Sequence, residues 1–509
     1  MSLLHNFFLF YFLFPLIIQA KSLKINPINP FFKDDMGCEK VQYPSEILTP
    51  LPYLKECLST IDGLVVYPGD PYYYNSIKVM NCRYHYFPVV VIYVTTISDI
   101  QKSIHCANTL NISVTARSGG HSYEEYGNGG RSGVMVIDVQ EFNQININFE
   151  TKKTAVIGTG NRLGTIYYNL YKAGFLLPAG YCLNVGIGGH ATGGGYGMVG
   201  RKYGMASDNI VSAEMVTANG TFISPINSNH HSDLFFAIRG AGNAGYGIIT
   251  SLTFKIYPIW PIVTTINLAY FSDQIELAFI IFAKVVKNLS ENLNAYIFLM
   301  PKNNNNSYTL SFNATYLGSE DEARNVVKEL IELSNPAYIK FEEMPWWEAV
   351  KKQSPPFNRQ PFKVTSYTIP PQGLSREAIR FLLNFINNME CMTAVFFDVY
   401  ASDAISRIPV NSSAFIHRNI LYVMELETLL DGHSKNVQNM CIKKHLQFSQ
   451  EFQEKYTSYF CYQDYIDKDL PDWLTRYYGP HVPRLIETKK KYDPDNLFNW
   501  KQSIPTELP

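Results

Sequence analysis

The residues best suited to chemistry fall in two short segments. The first, Arg117-Ser118-Gly119-Gly120-His121-Ser122-Tyr123, directly follows the strand-like ISVTARS. Its paired glycines let backbone N–H groups close on an anion such as a pyrophosphate. The same residues also read as a tight turn that carries a histidine. The second segment runs from Gly180 to Gly197 and holds eight glycines around Cys182 and His190. So much backbone entropy is tolerated where a planar ligand or a phosphate presses on the chain. No Gly-Lys-Ser/Thr follows, so it is not a Walker loop. Without a helix pattern or a downstream ribose-binding acid it is not a Rossmann fingerprint either. Cys182 reads as a small buried residue or as a nucleophilic thiol.

These segments need elements to hold them. VVVIYV, VMVIDV and AVIGTG read as strands, with helical spacing over Thr96–Leu110 and Leu163–Lys172. This alternation points to a mixed α/β domain. The zone from Gly180 to Gly204 is too glycine-rich for a regular helix. IVSAEMVTA and GIITSLTFKIYPI follow as strands. Beyond residue 260 longer helical patterns (Gln274–Leu289, Glu320–Leu333, Arg376–Met389) interleave with the strands AYIFLM, YTLSFNATYL, TAVFFDVYA and NILYVMELE. That pattern points to a second, α+β domain, with Asn303–Asn306 as a loop tip.

Composition is that of a globular protein: 46% hydrophobic, 17% charged, net charge -1. Such a charge balance gives no basis for a nucleic-acid partner. The apolar run Phe7–Ile18, ending near Ala20, reads as a secretory signal peptide, and no later run is long enough to span a bilayer. Six glycosylation patterns (Asn111, Asn219, Asn288, Asn305, Asn313, Asn411) and eight cysteines agree with secretion. No His or Cys cluster has metal-ligand spacing, so no metal is expected.

In order, RSGGHSYE, GYCLNVGIGGHATGGGYG, DLFFAIRGAGNAGYGIIT and the tail YYGPHVPRLIETKKKYDPDNLFNWKQSIP resemble the berberine bridge enzyme-like family of FAD-linked oxidases. The similarity runs from about Tyr53 to Pro505. It implies an α+β fold: a PCMH-type FAD-binding domain of two α/β subdomains, plus a substrate domain whose antiparallel sheet is covered by helices. The corresponding boundaries are 1–20 signal peptide, 21–50 irregular arm, 51–259 FAD-binding domain, 260–463 substrate domain, and 464–509 a tail returning to the FAD domain. The resemblance further implies bicovalent FAD, with His121 on the flavin 8α-methyl and Cys182 on C6. Arg117, Ser118, Gly119, Gly120, Val185, Gly188, Gly189, His190, Gly245, Ile249, Asn496 and Phe498 are the implied cofactor contacts, and Cys57–Cys106 the implied disulfide. Cys38, Cys82, Cys391, Cys441 and Cys461 then leave an odd thiol.

The family's chemistry implies hydride transfer to the flavin while a base removes a proton. Tyr123, Tyr196, Asp398, Glu425 and Tyr462 match its pocket positions. Asp398 stands where oligosaccharide-oxidising members carry an aspartate, so Tyr462 is expected as base with Asp398 as its partner. The substrate is expected to be a mono- or oligosaccharide oxidised at C1 to a lactone. A phenolic or alkaloid substrate with Glu425 as base is the alternative, and a secreted binding glycoprotein without catalysis is a second. Val185, small at the oxygen-gate position, points to O2 as acceptor and hydrogen peroxide as product. Other partners are not expected, and the protein is expected to be a monomer. Val423 and Leu183 depart from the family's common Lys and Pro.

Overall fold

The computed structural model describes Cys38 and residues 52–150, 153–302, 307–354 and 358–508. The expected signal peptide, nearly all of the N-terminal arm and the Asn303–Asn306 tip lie outside these.

Four short strands make the first sheet: β1 (Leu64–Val66), β2 (Val90–Tyr93), β3 (Val114–Arg117) and β4 (Met135–Asp138). Their order is β1-β2-β4-β3, with β2, β3 and β4 parallel. β2 and β4 are wholly buried, which is why they read as continuous apolar runs. The crossover helix Ile97–Leu110 starts on a Thr96–Asp99 capping box and stops at Asn111, whose left-handed backbone ends it.

Next come β5 (Ile145–Asn148), β6 (Thr154–Gly158), β7 (Phe175–Leu176), β8 (Ile210–Val216), β9 (Phe222–Ile226), β10 (Ile248–Lys255) and β11 (Tyr257–Pro258). Five form an antiparallel sheet, β5-β6-β10-β8-β9, and β7 pairs with β11. The glycine zone departs from the sequence expectation, because Ile187–Gly193 is helical. Packing outweighs propensity there. Ile187 and Ala191 are fully buried, and the Thr192 hydroxyl donates to the Gly188 carbonyl at 2.7 Å.

The third sheet has seven antiparallel strands: β12 (Ile262–Phe271), β13 (Leu293–Lys302), β14 (Ser307–Tyr316), β15 (Tyr338–Pro345), β16 (Phe362–Ile369), β17 (Thr393–Val399) and β18 (Tyr422–Leu429). The order is β15-β12-β14-β13-β17-β18-β16. One face packs on the helices Ile275–Val285, Glu320–Ser334, Arg376–Asn387 and Lys435–Tyr456 through Ile297, Phe312, Val395, Phe397, Met424 and Leu426. Strand alternation therefore puts Tyr296, Phe298, Phe396, Asp398, Val423, Glu425 and Glu427 on the opposite face. This is the α+β architecture implied by the sequence.

Candidate active site

The two glycine segments meet backbone to backbone. A Cβ on Gly119 would lie 2.3 Å from the Gly186 nitrogen, and one on Gly186 would lie 2.3 Å from the Gly119 nitrogen. Only glycine permits that approach. Ser118 fastens the junction: its hydroxyl donates to the Thr159 carbonyl at 2.5 Å and accepts from Gly188 N–H at 3.3 Å. Gly120 turns the chain with φ +69°, and its carbonyl accepts from Met80 N–H at 3.0 Å. By contrast, a Cβ on Gly189 would meet nothing within 4 Å.

Arg117 is buried within the first sheet. It is 5% exposed, with Nε on the Asp138 carboxylate at 2.6 Å and Nη1 on Asn128 at 2.9 Å. β3 and β4 pair Arg117 with Asp138 in register, so Arg117 braces the turn from inside the sheet.

Beyond the turn lie the two nucleophiles. Burial, with Arg162 and His190 nearby, holds the His121 imidazole well below its usual pKa, so the ring is neutral at pH 7. Cys182 is a half-buried free thiol. Burial and the carboxyls of Glu425, Asp398 and Glu427 push it up to about 12, so it rests protonated. Val185 is half-buried close by, and its carbonyl accepts from Leu163 N–H at 3.0 Å. His190 is lowered to about 4 by burial. Its Nε2 accepts from Gly180 N–H at 2.9 Å, which leaves the proton on Nδ1, 4.0 Å from Asp464.

The seven-stranded sheet supplies the acids. Asp398 is 6% exposed, and its pKa is raised to about 7 by burial. Its hydroxyl partner is Tyr465, which donates to Asp398 Oδ2 at 2.8 Å. The expected Tyr462–Asp398 pair is therefore corrected. The Tyr462 hydroxyl instead donates to Asp464 at 2.8 Å and accepts from Gly195 N–H at 2.8 Å. Both tyrosines lie in CYQDY, where the sequence offers two hydroxyls and no register to choose between them. The Tyr196 hydroxyl also has a structural partner: it donates to the Val399 carbonyl, and its ring stacks on Tyr400 at 4.4 Å.

Tyr123 connects the two halves. Its ring stacks on Tyr465 at 5.9 Å and meets the Phe362 ring edge at 5.3 Å. Burial and the charge of Glu425 hold its hydroxyl protonated. Glu425 is 8% exposed, and burial beside Glu427 raises its pKa well above the carboxylate range. Glu427, which the sequence reading passed over, is raised to about 7 by burial. Asp464 is raised to about 7 likewise.

The tail closes the first sheet. The Leu497 carbonyl accepts from Val114 N–H at 3.0 Å. The buried Lys489 ammonium donates to the Gly245 carbonyl at 2.6 Å and the Phe498 carbonyl at 2.8 Å, and it pairs with Asp493 at 2.5 Å. Gly245 is left-handed at φ +98° and Asn496 at φ +52°. The Ile249 carbonyl accepts from the Thr159 hydroxyl at 2.5 Å. Lys489 thus holds two of the expected cofactor contacts, Gly245 and Phe498, yet in sequence it is one lysine in KKK. Disulfides join Cys57–Cys106, Cys38–Cys82 and Cys391–Cys441; Cys461 is the odd thiol, accepting from Gln453 at 3.1 Å.

Known proteins share this fold. The FAD binding domain model matches residues 88–224, and the berberine and berberine-like model matches residues 461–505. The structure of Physcomitrella patens BBE-like 1 is 33% identical with a TM-score of 0.83, covering 90% of this chain and 100% of that one. An FAD-linked oxidoreductase of Bacillus subtilis, YgaK, is 28% identical over 453 residues, 87% of this chain and 97% of the relative. Glucooligosaccharide oxidase from Acremonium strictum, whose FAD is 6-S-cysteinyl and 8α-N1-histidyl, shares the fold at TM-score 0.80 and 20% identity, over 90% of this chain and 100% of that one. Motifs, fold and relatives agree: the chain belongs to the berberine bridge enzyme-like family of FAD-linked oxidoreductases.

Proposed function

We propose that the protein is a secreted, monomeric oxidase that holds FAD through both His121 and Cys182 and oxidises the anomeric carbon of a reducing sugar. The observation that carries the reading is the buried Tyr465–Asp398 hydrogen bond on the sheet face that carries Glu425.

The residues fit FAD. The Gly119–Gly186 contact narrows the backbone as a pyrophosphate requires, and Gly189 leaves its side open. A neutral imidazole and a thiol, two groups able to form covalent bonds, belong to the segments that make this cradle. Bound FAD supplies the two-electron acceptor, with O2 as its reoxidant and hydrogen peroxide as product.

The chain's own task is the proton. Tyr465 takes the proton of the anomeric hydroxyl as C1 gives up its hydride, and it passes its own proton to Asp398 across the 2.8 Å bond. Losing one proton and one hydride turns the hemiacetal carbon into a lactone carbonyl. Burial, then the charge of Asp398, keep Tyr465 protonated at rest, so a coupled transfer suits it better than a standing phenolate. In this reading Glu425 and Tyr123 hold the other sugar hydroxyls. Secretion is supported by the three disulfides and by exposed Asn111, Asn219, Asn288 and Asn411.

The test has two steps. Acid-precipitated protein should keep its yellow colour, with flavin mapped to the His121 and Cys182 peptides. Anaerobic mixing with reducing sugars should then bleach the flavin. A colourless folded protein would sink the oxidase reading, and bleaching by phenolic alcohols alone would replace the sugar reading.

A further inference from the structure

One buried joint stands outside the chemistry described so far. Asn81 is 1% exposed and uses its whole amide. Nδ2 donates to the Tyr123 carbonyl at 2.7 Å and to the Phe362 carbonyl at 3.1 Å. Oδ1 accepts from Phe362 N–H at 3.3 Å and from Arg83 N–H at 3.0 Å. Asn81 therefore ties the loop of Tyr123 to the start of β16. The next residue of β16, Lys363, is completely buried, and its ammonium meets carboxylates of two loops. It pairs with Asp467, with Asp469 at 3.0 Å and with Glu124 at 3.8 Å. Glu124 directly follows Tyr123, and Asp467 lies two residues after Tyr465.

A lysine in a sheet would be expensive to bury without such partners. Nothing here contacts a reacting atom. What the joint fixes is a separation: one amide and one ammonium hold the segments whose Tyr123 and Tyr465 rings stack at 5.9 Å. We propose that Asn81 and Lys363 are positioning residues, clamping the His121–Tyr123 loop to the Tyr465 loop so that the base and the flavin-bearing loop keep one spacing. The proposal rests on Tyr465 being the base.

The test uses the full secreted protein carrying Asn81→Ala, Glu124→Gln or Lys363→Arg, with Tyr465→Phe as reference. Glu124→Gln leaves Lys363 two carboxylates, so it guards against loss of folding in Asn81→Ala. Hydrogen exchange needs no substrate. Both Asn81→Ala and Glu124→Gln should speed exchange in residues 120–126 and 463–468 together. With cellobiose, the limiting rate of anaerobic flavin reduction, per bound flavin, should fall about tenfold or more in these two variants with little change in apparent Kd. Lys363→Arg, which keeps the charge, should lose less. A purely structural role would instead lower flavin content and leave the rate per flavin unchanged. Wild-type rates and exchange in both variants would overturn the clamp alone. A wild-type rate in Tyr465→Phe would overturn the base assignment and the proposal with it. If cellobiose reduces no flavin even in the wild type, exchange decides the clamp by itself.

Discussion

At the scale of residues, two tyrosines and two aspartates sit within one short stretch of space, and only hydrogen bonding tells them apart. Tyr465→Phe and Asp398→Asn should each slow flavin reduction about a hundredfold or more. Tyr462→Phe, whose hydroxyl serves Asp464 and Gly195, should slow it far less. Stopped-flow reduction under nitrogen separates these outcomes. The acid dependence follows from the same pair. Only ionised Asp398 can receive the proton, and its pKa is raised to about 7. Reduction should therefore rise with pH through about 7 and level above it, with Asp398→Asn flattening the rise. Glu425, Glu427 and Cys182 share the field, so the variant, and not the wild-type curve alone, assigns the step. Cys182 makes a further prediction. Because burial and three carboxyls hold it as a thiol, attachment of flavin to the unloaded protein at Cys182 should quicken as pH rises, while attachment at the already neutral His121 should respond less. Peptide mapping after timed incubation with FAD reads both.

At the scale of elements, glycines that look alike in sequence have opposite duties. Gly186→Ala would drive a methyl to 2.3 Å from the Gly119 nitrogen and should cost folded yield outright. Gly189→Ala meets nothing within 4 Å, so it should fold at near wild-type yield yet load less flavin, seen as a lower ratio of visible to ultraviolet absorbance. No feature of the sequence distinguishes the two positions, since both sit in VGIGGH. Strands and helices with clean periodicity were legible, among them Leu163–Lys172, which the structure bounds as read. β16 was not, because every residue of it is buried and alternation disappears. β15 was not, because it is a charged edge strand with Lys340, Glu342 and Glu343. The helix Ile187–Gly193 is set by neighbours distant in sequence. The same holds at the site. Single residues such as Asp398 could be matched by motif, whereas the pairing of Tyr465 and not Tyr462 with Asp398 depends on a hydrogen bond between residues 67 apart in sequence.

At the scale of the whole molecule, the acids beneath the nucleophiles cost stability. The folded state holds the Asp398 proton more tightly than an unfolded chain does, since 3.8 becomes about 7. Its contribution is fully present below about 4 and is lost as pH climbs through 7. Asp398→Asn should accordingly be more stable at pH 8 by about 1 kcal/mol, with a higher Tm, while slowing flavin reduction. Thermal melts at pH 5 and pH 8 test the sign, because the gain should shrink at the lower pH. Among the described residues no helix is long and apolar enough to cross a membrane. The seven-stranded sheet carries one more consequence. Its even-numbered residues on β17 and the odd-numbered ones on β18 (Phe396, Asp398, Val423, Glu425, Glu427) look away from the helices, and their neighbours (Val395, Phe397, Met424, Leu426) look toward them. Repertoire and scaffold are thus interleaved residue by residue along the same strands. A mutant library confined to Phe396, Val423 and Glu427 of the first set would vary that face on an unchanged frame.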